Sequence, residues 1–321
     1  MAMVSPEQIE RRVSMLMDSG AMDDKNWPKE EVKHRTKQYV KMWEKKSKGI
    51  TYTKSWISYE ELKEGRKGVR KNVVEKAKGE RDVNTFKVIK SDENHHAIVT
   101  EHGEILGYRY RIKRDLVQTL EETTAALPPT RVNAGNRGDY PTRHYAVWRD
   151  YSKVPYETSE YRKDLPASRE WCDRNAKLFE YLSEGLRNIS PMTYMRYRGA
   201  QQYLQDLDLK ALCGVWFGVA INQVVTGSTS THLDFGDSGY NCVVPWGEYT
   251  GGGLVLWQLE MIVELEPGDA FFFMGSLIAH NVGEIEGVRN SIDLFCHKNV
   301  LSWKDMCDEE KRGEKLSGER S

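Results

Sequence analysis

Residues 251–297 read GGGLVLWQLEMIVELEPGDAFFFMGSLIAHNVGEIEGVRNSIDLFCH. The stretch is a series of short β-branched and aromatic runs at 253–258, 261–265, 270–274, 277–282 and 289–296. Turn signals part them: Gly251-Gly252-Gly253, Pro267-Gly268-Asp269 and Glu286-Gly287. Upstream, 215–225 and 240–246 have the same character on either side of Thr226-Gly227-Ser228. Many short strands at close spacing predict an antiparallel sandwich, jelly roll or barrel.

Working toward the N-terminus, VNTFKVIK (83–90), HHAIVTEHG (95–103) and ILGYRYRI (105–112) read as further strands. Helical spacing predicts helices at 114–126 and 168–188, the first stopping before Pro128-Pro129. The segment between them, 130–166, reads as one long loop, ordered by its aromatics. The first 80 or so residues read as helices. Ser5-Pro6 with Gln8 starts one, and Asn26-Trp27-Pro28 starts a second that ends at Gly49. Ser58 with Glu61 forms a capping box for a third, ending near Gly65 or Gly68. The expected class is therefore α+β, a jelly-roll core with N-terminal and flanking helices. Three regions are expected: a basic helical region at 1–82 packing on the core, a catalytic domain at 83–303 with its core at 214–298, and a charged helical tail at 304–321.

The 321 residues carry a net charge of −1, which hides an asymmetry. Residues 25–90 hold 20 Lys/Arg against 9 Asp/Glu, whereas 91–321 hold 25 against 34. Such a division fits a polyanionic partner, or simply a solvated helical surface. An aromatic content of 10% argues against disorder. No apolar run nears the roughly 18–20 residues of a membrane helix, and MAMVSPEQIERR lacks the apolar stretch of a signal peptide. Five scattered cysteines without a C-x-x-C pair fit a reducing compartment and argue against a zinc ribbon.

The chemistry centres on Thr231-His232-Leu233-Asp234. Two residues apart on extended chain, His232 and Asp234 point to one side. His280, at the end of another expected strand, supplies a third ligand. Two His and one carboxylate form the facial triad of non-haem Fe(II) oxygenases, which leaves open positions for co-substrates. H-x-D alone also fits an ordinary surface pair. Arg289 and Ser291 share one side of the next strand. A guanidinium fork with a hydroxyl beside it suits a carboxylate.

The ordered set His232-x-Asp234, Gly251-Gly252-Gly253-Leu254, Pro267-Gly268-Asp269, His280 and Arg289-x-Ser291 resembles the core of Fe(II)/2-oxoglutarate dioxygenases. Within them the chain resembles the TET/JBP group, and there the short fungal-type members, which oxidise methyl groups on nucleic-acid bases. The resemblance implies Fe(II), 2-oxoglutarate and molecular oxygen as cofactors, with Arg289 and Ser291 on the distal carboxylate and succinate and carbon dioxide as co-products. It implies that Phe295 stacks on a flipped base while His297 and Asp237 meet its edge. Taken alone, Phe295 reads as core and Asp237 as a turn residue before Ser238-Gly239. The group often has an Arg where this chain has Gly227, so the second 2-oxoglutarate contact falls to Asn222, or to Arg196 or Arg198. Asn133, Arg143 and His144 are further candidate substrate contacts.

The implied substrate is DNA bearing 5-methylcytosine, bound by base flipping by a nuclear monomer and oxidised to 5-hydroxymethylcytosine and beyond. N6-methyladenine, a protein side chain and a small metabolite remain alternative substrates. A binding module that has lost turnover remains a non-catalytic alternative.

Overall fold

The computed structural model describes residues 50–92, 94–130, 132–135 and 138–318. The two helices expected before residue 50 lie outside them. Fourteen strands and eight α-helices follow in this range. The strands are β1 (Ile50–Lys54), β2 (Lys87–Ile89), β3 (His95–Val99), β4 (Ile105–Arg111), β5 (Val132–Gly135), β6 (Gly138–Trp148), β7 (Tyr156–Glu157) and β8 (Gly218–Val225). The rest are β9 (Asn241–Gly251), β10 (Leu254–Leu256), β11 (Met261–Val263), β12 (Asp269–Phe273), β13 (His280–Val282) and β14 (Ile285–Phe295). The helices are α1 (Tyr59–Gly65), α2 (Arg70–Lys78), α3 (Arg114–Ala125), α4 (Ser159–Lys163), α5 (Ala167–Arg174), α6 (Ala176–Ile189), α7 (Pro191–Gln205) and α8 (Lys298–Gly318).

The architecture is α+β with a jelly-roll core. A large sheet runs β1-β3-β4-β12-β9-β14-β8-β6-β5, and a smaller one runs β13-β10-β11-β2. The stretch 227–232 completes the smaller sheet's side. Gly227 exchanges backbone hydrogen bonds with Ile285, Thr229 donates to Val282, and His232 exchanges both bonds with His280 at 3.0 and 2.9 Å.

Period-2 alternation assigns each side of the large sheet. On β12, Phe272 packs outward among Tyr110, Trp216 and the helices, while Phe271 and Phe273 pack inward with Leu254, Leu256 and Val263. The helix layer supplies Trp171, Phe179, Leu182, Leu186 and Tyr197 to the outer side. Each buried Leu or Phe contributes about 1.5–3 kcal/mol, so this two-sided burial explains why the triple Phe is tolerated. On β14, Ile292 and Leu294 join the helix side. Arg289, Ser291, Asp293 and Phe295 therefore face the space between the sheets, where polar side chains need a reason to be.

Three expectations are corrected. The segment 130–166 is not one long loop: β5, β6, β7 and α4 lie within it. The eleven-residue β6 pairs with β8 from Thr142–Asn222 to Ala146–Gly218 and widens the large sheet. Its Arg, His and Pro content conceals the alternation, because one side lines a polar space and the other carries a buried ion pair. The helix expected at 168–188 is two, α5 and α6, broken at Asn175, whose Nδ2 donates to the Trp171 carbonyl (2.9 Å) and to Thr123 (2.8 Å). Nor is the region before residue 83 purely helical: β1 adds in parallel to β3. α1 does carry the expected capping box between Ser58 and Glu61.

Candidate active site

The candidate metal-binding triad takes His232 and His280 from two neighbouring, hydrogen-bonded stretches, with Asp234 two residues beyond the first. His232, Asp234 and His280 offer ligand atoms that all lie within 4.8 Å of one another. The Nε2 atoms of His232 and His280 stand 3.8 and 3.5 Å from the Asp234 carboxylate oxygens. Metal–ligand bonds of about 2 Å place neighbouring donor atoms at about such separations. The tautomers are set from behind. His232 Nδ1 lies 2.8 Å from the Ser230 carbonyl, and His280 Nδ1 lies 2.8 Å from that of Ile278. A carbonyl only accepts, so Nδ1 carries the proton and Nε2 presents its lone pair. Phe273 packs edge-on to the His280 ring at 4.8 Å and holds it in place. Asp234 and His280 are buried, and His232 is partly open. The donor set, two imidazoles and a carboxylate, fits Fe(II), which these three residues would hold.

Arg289 lies further along the inner side of β14, 2% exposed. Its Nε and Nη2 are buried without a hydrogen-bond partner in the protein. Burial lowers the guanidinium's pKa, and Tyr249, whose ring centre is 5.7 Å away, opposes that shift. A buried cation with two unused donors is costly unless an anion completes it. The residues thus fit the distal carboxylate of 2-oxoglutarate. Gly252 makes room: its φ is 65°, and a Cβ there would sit 3.1 Å from Arg289 Cδ. The pairing of β14 with β8 shifts register between Arg289 and Ser291, with the extra residue on β8. Ser291 pairs with Asn222 across the strands. Asn222 Nδ2 is 3.5 Å from Ser291 Oγ, and Thr142 donates to Asn222 Oδ1 at 2.9 Å. Asn222 thus stands beside Ser291, whereas Arg196 and Arg198 on α7 pair with Asp305 and Gln201.

Beyond the arginine, β14 reaches Phe295 and then His297. Phe295 is buried with Ala146 and Ala220 and meets Trp148 edge-on at 6.2 Å. It passes over Gly218, where a Cβ would fall 2.5 Å from the ring. His297 stacks on Trp148 with ring centres 4.0 Å apart and 29° between planes. Burial lowers its pKa to about 4, so it is neutral at ordinary pH, and its Nδ1 is buried without a hydrogen-bond partner. Asp237 pairs with His297 through the backbone and accepts from Asn241 Nδ2 at 2.9 Å.

Of the candidates, His232, Asp234 and His280 thus stand together, Ser291 is paired with Asn222, and Asp237 is paired with His297. His144 shares the side of β6 that carries Thr142, but its backbone N–H and ring lie against Glu160. Arg143 points the other way. It is buried, tied to Asp164 (3.0 Å) and to the Pro128 carbonyl (2.6 Å), so it serves the framework and not the site. The side chain of Asn133 lies outside the described residues. Sequence reasoning missed Trp148, Asn241 and Asp293. Parity with Ser291 and Phe295 would have found Asp293, which Asn241 approaches at 3.5 Å. Trp148 and Asn241 come from strands paired only in three dimensions.

No protein-family model and no curated protein matches the chain. Among solved structures it is similar to NgTET1 in complex with 5mC DNA, at 18% identity and a TM-score of 0.48, over 75% of this chain and 92% of that one. It is also similar to an oxidoreductase of the 2OG-Fe(II) oxygenase family from Burkholderia pseudomallei, at 16% identity and a TM-score of 0.40, over 59% and 83%. A third is a Pseudomonas putida prolyl-4-hydroxylase, at 16% and 0.35, over 60% and 92%.

Proposed function

We propose that the chain is an Fe(II)- and 2-oxoglutarate-dependent dioxygenase that oxidises the methyl group of 5-methylcytosine in DNA. The observation that carries the cofactor reading is the buried Arg289 with two unsatisfied N–H groups, in a chain whose His232, Asp234 and His280 offer ligand atoms within 4.8 Å of one another. Bound Fe(II), with 2-oxoglutarate and oxygen, supplies the oxidising power that breaks a methyl C–H bond. The chain's own residues hold and orient. His232, Asp234 and His280 grip the metal, and Arg289 with Ser291 anchors the co-substrate's far carboxylate. The inward side chains of β12 and β10 keep the space dry.

The base reading rests on the wall formed by Trp148, Phe295 and His297, with Asp237 beside it. Aromatic walls accept the flat sides of bases, and a carboxylate accepts from an exocyclic amine such as cytosine N4. His297 Nδ1 is an unused polar atom for the base edge. A duplex base reaches such a wall only when flipped. A nuclear location belongs to the same reading. The TET complex with 5mC DNA lends the substrate its analogy. No helix among the described residues is long and apolar enough to cross a membrane.

Succinate release tests the proposal. Methylated oligonucleotide stimulates it above the level with an unmethylated oligonucleotide, and His232→Ala abolishes it. Equal rates with both oligonucleotides would reject the base reading while leaving the oxygenase.

A further inference from the structure

A cluster of cations surrounds Phe235, the residue after the Asp234 ligand. Arg66, at the end of α1, donates from Nη2 to the Phe235 carbonyl at 2.9 Å. Lys298, the first residue of α8, donates from Nζ to the same carbonyl, also at 2.9 Å. Arg70, the first residue of α2, places its guanidinium 5.3 Å from the Phe235 ring centre, and that of Arg66 lies at 5.9 Å. Two cations thus share one neutral oxygen while a third lies over the adjoining ring.

Among the described residues, the carboxylate that faces Arg66 and Lys298 is Asp237, and it also takes a hydrogen bond from Asn241. Burial, and the repulsion of Arg66 and Arg70, pull the pKa of Lys298 down. The three positive groups come from three separate elements. Only Arg66 and Arg70 belong to the basic stretch of the sequence, and Lys298 follows His297 on the other side of the site. A carbonyl, a ring and one carboxylate shared with Asn241 are weak compensation for three converging cations. An anion with several acceptor oxygens completes it better.

We infer that Arg66, Arg70 and Lys298 form a phosphodiester-binding cluster that grips the strand whose base enters the space beside His297. The inference rests on the proposed nucleic-acid substrate and names the residues that hold its backbone. Phe235 places the cluster next to a metal ligand, and Lys298 places it next to His297. One sugar separates a base from its phosphates, so a cluster in this position holds the nucleotide at both ends.

The test is the salt dependence of binding, read by fluorescence anisotropy of a labelled methylated duplex on the full chain. Each phosphate contact contributes a slope of about −0.9 in log K against log salt. Arg70→Gln with Lys298→Gln is expected to flatten the slope by one to two units, and Arg70→Lys is expected to retain it. Binding of Fe(II) and 2-oxoglutarate, read by their visible charge-transfer band, stays unchanged in the double variant and reports an intact fold. An unchanged slope overturns the cluster, even if the chain oxidises 5-methylcytosine. Weakened binding of polyglutamate, with the DNA slope unchanged, overturns it in favour of an acidic protein partner. A flattened slope on a chain that leaves 5-methylcytosine intact keeps the cluster and rejects the substrate.

Discussion

On the proposed reading, Arg289 holds the co-substrate's far carboxylate. Removing one partner from a buried charge pair costs about 3–5 kcal/mol, about two to four orders of magnitude in affinity. Arg289→Gln is therefore expected to raise the KM for 2-oxoglutarate at least a hundredfold while metal binding persists. Equilibrium dialysis of Fe(II) beside the kinetics separates the two. His297 gives a prediction in pH. Its pKa is about 4 in the fold, against an ordinary value of 6.5, because burial disfavours the cation. Between those values the unfolded chain binds the proton and the folded chain does not, so stability falls as pH drops from 6.5 towards 4. His96, held to about 4 by burial with Arg109 nearby, adds in the same direction. His297→Gln flattens part of the loss, read as Tm against pH; an NMR titration of His297 near 6.5 would contradict this. At this scale the sequence was legible where parity on one strand carried the information. Phe295 and His297 were singled out by the family resemblance, whereas Arg289 and Ser291 follow from even spacing. Trp148 and Asn241 do not, because their neighbours are set by strand pairing.

The strands explain which parts of the fold were legible. β9 to β14 announce themselves through apolar runs and Gly or Pro turns. β6 does not, because its inward side is polar where it lines the site and its outward side hides Arg143 against Asp164. The stretch 227–232 reads as a turn, yet it pairs with β13 and its neighbour Ile285. β6 also carries a prediction. Trp148→Ala removes the surface under His297 and is expected to raise the KM for a methylated oligonucleotide, with the KM for 2-oxoglutarate unchanged. Opposite Phe295, Gly218→Ala forces a methyl group to within 2.5 Å of the ring. Overpacking of this kind costs about 1–3 kcal/mol. Urea midpoints measure it, and an unchanged midpoint would show that Phe295 has room to move.

For the whole molecule, the near-zero net charge divides into a cationic N-terminal part and an acidic core. The described portion of the basic stretch reaches the core beside Asp234, through Arg66 and Arg70 on Phe235. Sequence could count those charges but could not place them, since 169 residues separate Arg66 from Phe235. The architecture was legible in kind, an α+β fold around a jelly roll. The extension of the large sheet was not: β1 and β5 are edge strands with little hydrophobic signal, and β6 hides its alternation behind a polar side and a buried ion pair. The measurement that bears most directly on the central claim is nucleoside mass spectrometry. The chain is incubated with Fe(II), 2-oxoglutarate, oxygen and duplexes carrying 5-methylcytosine or N6-methyladenine. The account predicts 5-hydroxymethylcytosine from the first duplex, and none from Asp234→Ala. Both modified bases recovered unchanged, from a chain that binds Fe(II) and 2-oxoglutarate, would contradict it.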